Sequence, residues 1–267
     1  ASAQQKLRES EQQLVEITAT VPGVVYQFFA RADGGMGLYF VSSRANEIFG
    51  IEGDRESFFD TFTGNVDPRD EDRFLDSIRT SIVNGAPWDF EGRYRKPDGE
   101  RIWFQGIARP VKKGSEIIYN GILLDITARK RAEEERRISE EKYRHFIEHS
   151  PYGMHFYELV PGRGLIFTGA NPAADRILKV THDRLIGKTI EEAFPGLKGT
   201  DVPDAYRKVA ESGSLWQTEQ VVYDEGEIRG AYAVTAFQIA PGSVVASFVD
   251  ITERKRAENE LLLLKVS

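Results

Sequence analysis

The chain has 267 residues, 40% hydrophobic and 29% charged, with 35 lysines and arginines against 42 aspartates and glutamates for a net charge of −7. That is ordinary globular composition with an acidic balance, which argues against a nucleic-acid partner. Without cysteine there is no disulfide framework, thiol nucleophile or cysteinyl metal site; no run approaches the ~18 apolar residues of a membrane span and no signal peptide opens the chain, so a cytoplasmic setting is expected.

Residues 3–20 read as a polar helix with Leu7, Leu14 and Ile17 on one side, broken by Pro22-Gly23. Val24 to Ala30 is a strand rich in β-branched and aromatic residues, and Asp33-Gly34-Gly35 turns it into a second strand, Leu38 to Ser42. Ser43 to Phe49 reads as a short helix. Asp67 as N-cap with Pro68 after it opens a helix to about Ser81, with Phe74, Ile78 and Ile82 toward the core. Three strands follow: Trp88 to Arg95, Arg101 to Arg109 across a hairpin marked by Asp98-Gly99, and Ile117 to Ile126.

The second half repeats this order. Gly153 to Leu159 and Leu165 to Thr168 are strands; Asn171 to Leu178, Leu185 to Phe194 and Val202 to Ser212 read as helices; Trp216 to Tyr223, Gly230 to Ile239 and Val244 to Ile251 close the unit as strands. Asp125-Ile126-Thr127-Ala128-Arg129-Lys130-Arg131-Ala132-Glu133 returns as Asp250-Ile251-Thr252-Glu253-Arg254-Lys255-Arg256-Ala257-Glu258, with one position in nine changed. Pro22 matches Pro151, and Gly85-x-x-Trp88-x-x-Glu91 matches Gly213-x-x-Trp216-x-x-Glu219. A repeat longer than the roughly 50 residues of a solenoid unit indicates duplication of a whole small domain.

The order strand–strand–helices–three strands, ending in Asp-Ile-Thr-x-Arg-Lys-Arg-Ala-Glu, resembles tandem PAS domains of a prokaryotic sensor protein. The first copy carries Asp67-Pro68-Arg69-Asp70-Glu71-Asp72-Arg73-Phe74 and a Tyr94-Arg95-Lys96-Pro97-Asp98-Gly99 hairpin. The second carries Asn171-Pro172-Ala173-Ala174 and Leu185-Ile186-Gly187-Lys188-Thr189. The fold class expected is α+β: two PAS-like domains, each a five-stranded antiparallel sheet with helices on one face, joined by a long helix. The boundaries expected are 1–20 for an N-terminal helix, 21–127 for the first domain, 128–147 for a linker helix, 148–252 for the second domain and 253–267 for a C-terminal signalling helix. The resemblance implies a sensory input module, with a histidine kinase or diguanylate cyclase as downstream effector in a longer chain.

The linker carries charge pairs four residues apart, including Arg129/Glu133, Lys130/Glu134 and Arg137/Glu141. Each is worth about 0.2–0.5 kcal/mol, and together they favour one stiff helix. Thr127 is read as its N-cap, with Asp125 adding negative charge near the helix start. Asp125, Thr127, Asp250 and Thr252 are therefore the candidate signal-transfer residues. A heptad seam through Ala132, Arg136, Ser139, Tyr143 and Phe146 is too polar for a good coiled coil, whereas Ala257, Leu261 and Leu264 are better, so any homodimer is expected through the terminal helices.

Of four histidines, His145 and His149 share one face of the linker without a third metal ligand; His155 lies in a strand and His182 beside a helix start. The resemblance places a haem-ligating histidine on the helix before the last three strands, and neither 68–81 nor 202–212 holds one; it places a flavin adduct on a cysteine, and the chain has none. Haem ligation and cysteinyl-flavin photochemistry are thus not expected, and the cofactor is left open. Glu91 and Glu219 read as cross-strand or loop partners and Trp88 and Trp216 as packing residues. No catalytic constellation stands out, so no enzymatic activity is expected of this chain.

The second domain is the better candidate for a small-molecule pocket, around Phe156, Phe167, Asn171, Ile177, Leu178, Leu185, Tyr206, Val234 and Phe248, although a filled core is the reading the residues favour. For Asn171 the alternative is a helix cap, and for the apolar residues a closed core. The first domain, with bulkier residues on its hairpin, is expected to be ligand-free. The functional alternative is a ligand-free interaction and dimerisation spacer.

Overall fold

A computed structural model describes residues 18, 20–225 and 228–266. The helix expected over 3–20 lies outside these, apart from Thr18 and Thr20. The chain divides into two compact units, residues 1–137 and 138–267.

In the first unit the strands are β1 (Val24–Arg31), β2 (Met36–Val41), β3 (Trp88–Arg95), β4 (Arg101–Lys113) and β5 (Glu116–Asp125), in the antiparallel order β2-β1-β5-β4-β3. Between β2 and β3 run α1 (Arg44–Phe49), α2 (Phe58–Asn65) and α3 (Pro68–Asn84). Asp67 caps α3 by accepting the Arg69 amide, and the helix continues one turn beyond the expected end to a left-handed Gly85. β3 alternates strictly, so Trp88, Phe90 and Tyr94 enter the core against Phe74 of α3. α2 was not read from the sequence. It is held by Phe58 and Phe62, which enter the same core.

One charged group is buried between α3 and β3. Asp70, 5% exposed, accepts from the Arg93 amide at 3.0 Å, from Arg93 Nε at 2.7 Å and from Arg73 at 3.1 Å. The Arg93 guanidinium holds this carboxyl far below the ordinary carboxylate range. A depressed pKa contributes stability that is present above the unfolded value near 3.9 and lost as pH falls below it. Chemical denaturation of the first unit should therefore show a midpoint that drops between pH 5 and pH 3, and Asp70→Asn should flatten that drop while lowering the midpoint at pH 7.

The second unit repeats the topology. β6 (Gly153–Val160), β7 (Gly164–Ala170), β8 (Trp216–Glu225), β9 (Ile228–Ala240) and β10 (Ser243–Asp250) lie in the order β7-β6-β10-β9-β8. The duplication extends to an irregularity: the register shifts at Gln27/Phe28 in the first sheet and at Phe156/Tyr157 in the second. The helices are α5 (Pro172–Leu178), α6 (Ile190–Ala193) and α7 (Val202–Ser212). The helix expected over Leu185–Phe194 is divided. A 3-10 turn at Asp183–Leu185 ends where Gly187 takes φ +85°, and Thr189 restarts the chain with a capping box to Glu192.

Among the described residues the two remaining helices are α4 (Thr127–His149), one continuous helix, and α8 (Thr252–Val266). Along α4 the expected Arg129–Glu133 pair forms at 3.2 Å, while Arg137 bonds Glu134 three residues back. The heptad positions Tyr143 and Phe146 are exposed, as is Leu261 on α8; the side chain of Leu264 lies outside the described set.

Candidate functional site: the strand–helix junctions and the second core

Both sheets hand over to the following helix by the same stitch. In the first, the Ile126 amide donates to the Trp103 carbonyl at 2.9 Å, the Trp103 amide donates to Thr127 Oγ1 at 2.9 Å, and the Thr127 amide donates to Asp125 Oδ1 at 2.8 Å. In the second, Ile251 donates to the Ala231 carbonyl at 2.8 Å, the Ala231 amide to Thr252 Oγ1 at 3.0 Å, and the Thr252 amide to Asp250 Oδ1 at 2.8 Å. The sequence reading of Thr127 as N-cap is corrected. Its hydroxyl is committed across the sheet to β4, and the Asp125 carboxylate takes the first helical N–H instead. Each junction aspartate also sits opposite a core residue in the strand register: Asp125 opposite Phe104, and Asp250 opposite Tyr232.

The junctions differ in one clamp. Glu91 of β3 bonds Arg129 and Lys130 on the first turn of α4, each at 2.6 Å, and these cations, Lys130 first, lower its carboxyl pKa. Lys130 also lies over the Trp103 ring at 5.3 Å. The cross-strand or loop pairing expected of Glu91 is thus replaced by a strand-to-helix clamp. Its counterpart Glu219 falls in a bulge, where the register jumps from Thr218 to Val221. Among the described residues no ion pair reaches Glu219, and Arg254 and Lys255 pair with Glu258 on their own helix.

The interior of the second unit holds a chain of polar side chains. Tyr157 Oη lies 3.3 Å from His155 Nδ1, His155 Nε2 lies 2.9 Å from His182 Nε2, and His182 Nδ1 bonds Asp175 Oδ1. Both histidines are buried, whereas the Asp175 side chain is 47% exposed. Burial, with the neighbouring His182, drives the His155 pKa well below the ordinary imidazole value and keeps the ring neutral. His155 stacks on Phe194 at 4.8 Å and meets Phe248 edge-on at 4.8 Å. Beside it is a cavity of about 60 Å³, enough for a few waters or a ligand of a few heavy atoms.

Of the nine residues expected around a ligand, Leu178, Tyr206, Val234 and Phe248 line this cavity. Phe167 is fully buried next to it, and Ile177 and Leu185 pack at the edge of the core. Phe156 does not belong: His155 and Tyr157 take the core-facing parity of β6, which turns Phe156 to the opposite face with exposed Glu158. Asn171 is spent on the backbone. Its Oδ1 accepts the Met154 and Ala174 amides and its Nδ2 donates to the Ile147 and Tyr152 carbonyls, so the cap alternative describes it.

The sequence reading placed His155 in a strand and His182 beside a helix start but did not bring them together, and it passed over Asp175. A usable signal was present, since Glu158 shares a strand parity with Phe156 and marks that face as outward. The first unit also encloses a cavity of about 60 Å³, lined by Phe28, Phe62, Trp88 and Tyr119 among others, so its interior is no fuller than that of the second. Among the described residues no group of three or more His, Asp or Glu side chains could hold a metal ion. The rings of His145 and His149 stack on each other at 3.9 Å.

Two sheets of identical strand order, each running into a helix through an Asp-Ile-Thr stitch, define a duplicated α+β fold. Family models described as PAS fold match residues 38–123 and 147–256, and the chain belongs to that family as two PAS domains in tandem. It is similar to the two-component sensor PprA of Pseudomonas aeruginosa, 24% identical over 270 aligned residues that cover 95% of this chain. The chain spans 28% of the length of that curated relative. Among solved structures, it is similar to an RNA-binding light-oxygen-voltage receptor (8% identity, TM-score 0.40, 91% of this chain and 100% of that one). It is also similar to a sensory box histidine kinase/response regulator from Burkholderia thailandensis (23% identity, TM-score 0.37, 50% of this chain and 97% of that one).

Proposed function

We propose that this chain is the sensory input portion of a signal-transduction protein, in which the state of a domain core is passed through the Asp-Ile-Thr stitch to the helix that follows. The supporting observation is the placement of Tyr232. It lines the cavity of the second domain, stands opposite Asp250 in the strand register, and follows Ala231, whose amide and carbonyl both bond the junction. A change of occupancy that moves Tyr232 acts one residue away from the start of α8. Burial and the Asp250 charge together raise the Tyr232 pKa, a sign that cavity wall and junction share one electrostatic environment. The stimulus on this reading is a small ligand or a redox change, the output belongs to an effector domain such as a histidine kinase in a longer chain, and homodimerisation runs through the terminal helices. No catalytic role falls to this chain.

A ligand must favour one state to act; a tenfold preference is worth ~1.4 kcal/mol. The test is Asp250→Ala combined with Thr252→Ala in the full-length protein. Effector output should change several-fold while the thermal midpoint of the second domain moves by only a few degrees. Output at the parental level would reduce the junction to a spacer. The second reading, a ligand-free interaction and dimerisation module, is favoured by the small cavities. Native mass spectrometry of the purified protein separates the two, since a bound small molecule belongs only to the first.

A further inference from the structure

The hydrogen-bond chain inside the second domain has a single consistent order of protons when both histidines are neutral. The Asp175 carboxylate only accepts, so His182 carries its proton on Nδ1 and donates to it. His182 Nε2 is then bare and accepts from His155, which must carry its proton on Nε2. His155 Nδ1 is left bare and accepts from the Tyr157 hydroxyl. Every ring nitrogen is satisfied, and the order is set from the half-exposed carboxylate inward.

One added proton held by His182 cannot be accommodated without reversing that order. A His182 protonated on both nitrogens would face the Nε2–H of His155 across 2.9 Å. The conflict is relieved when the His155 Nε2 proton passes to His182 and the incoming proton settles on His155 Nδ1. The two rings then hold three protons instead of two, His182 is an imidazolium paired with Asp175, and His155 remains neutral in its other tautomer. Tyr157 changes from donor to acceptor.

We propose that Asp175, His182 and His155 form a one-proton switch in the second domain, in which proton uptake inverts the tautomer of His155 and reverses the polarity of Tyr157 beside the cavity. The groups that face the chain support this. Tyr157 comes from β6 itself, Asp175 from α5, His182 from the segment before the 3-10 turn, and Tyr206 of α7 and Tyr232 of β9 stand across the cavity. Among the described ring contacts of His155, β7, α6 and β10 contribute the uncharged rings of Phe167, Phe194 and Phe248. Among these groups the Asp175 carboxylate is the one anion available to hold the new charge, and it sits at the solvent end. Burial keeps His155 from holding it. The switch is peculiar to the second domain: at the offset of 129 that relates Pro22 to Pro151, His155 and Tyr157 correspond to Tyr26 and Phe28. It stands whether or not the junctions transmit a signal, because it is read at the rings and not at an effector.

The experiment is long-range ¹⁵N–¹H correlation NMR of the whole chain with ring-labelled histidine, from pH 8 to the onset of acid unfolding, with His145 and His149 as internal references on α4. The expected result is His155 protonated on Nε2 at high pH and on Nδ1 at low pH, with both buried rings changing at one shared midpoint. Asp175→Asn should lower that midpoint by about one pH unit, an about tenfold weaker proton affinity. His182→Gln should abolish the inversion. The proposal is overturned if His155 keeps one tautomer until the domain unfolds, or if Asp175→Asn leaves the midpoint in place.

Discussion

Phe62→Ala should cost the first domain about 3–5 kcal/mol, the range for deleting a buried phenylalanine ring. Phe62 lies at the centre of an aromatic cluster. Its ring centroid is 4.9 Å from Tyr94, 5.0 Å from Phe104 and 5.2 Å from Phe49, with Phe58 and Phe74 within 6.0 Å. These residues come from α1, α2, α3, β3 and β4, so the ring is the common contact of both layers. Collapse into the vacancy is opposed by the adjacent cavity and by the buried Tyr94 hydroxyl, which has no hydrogen-bond partner among the described residues. With a small domain losing roughly 4–8 °C of Tm per kcal/mol, the first transition should fall by about 15 °C or more. Trp88 and Trp103 report the first domain and Trp216 the second, so two-wavelength fluorescence melts of the intact chain resolve the transitions. A shift below about 5 °C would show that the cluster does not fold as one unit.

The same helix marks where sequence legibility stopped. Strand order, the Asp98-Gly99 hairpin and both junctions follow from local rules: period-two alternation, turn chemistry and a duplication of eight residues in nine. α2, by contrast, is built from Phe58-Phe59-Asp60-Thr61-Phe62-Thr63-Gly64-Asn65, five β-formers interspersed with Asp, Gly and Asn, all poor helix formers. Its local preference is not helical, and packing of Phe58 and Phe62 overrides it. The polar chain was hidden for a different reason. A histidine in a strand is ambiguous until its face is known, and hydrophobicity alone favours Phe156 over His155. Asp175 and His182 are brought to His155 by the turn between α5 and the 3-10 segment, which no spacing rule encodes. Glu91 had two legible partners in Arg129 and Lys130, but only the register of β3 beside the start of α4 puts them within reach.

Asn171→Ala should be the most costly polar substitution in the second domain, at about 2–4 kcal/mol. The side chain is 2% exposed and makes four bonds of 2.9–3.0 Å, two as acceptor and two as donor. Losing the cap of α5 accounts for about 1 kcal/mol. Leaving the buried Met154 amide without an acceptor adds about 1–3 kcal/mol. The Ile147 carbonyl, in the last turn of α4, loses its 3.0 Å donor and keeps only the Ser150 amide at 3.4 Å, so the substitution loosens the helix end that enters the domain. Asn171→Ser separates these contributions. A serine hydroxyl restores the cap to Ala174 and recovers about 1 kcal/mol, but it is too short to reach Ile147 and Tyr152 as well. Denaturant unfolding gives the totals, and amide exchange at Met154 and Ala174 assigns them. Serine should raise protection at Ala174 above what its remaining main-chain bond to the residue-171 carbonyl gives, and leave Met154 fast. If alanine costs under 1 kcal/mol with both amides still protected, water has replaced the side chain, and Asn171 is free to be something other than a backbone clasp.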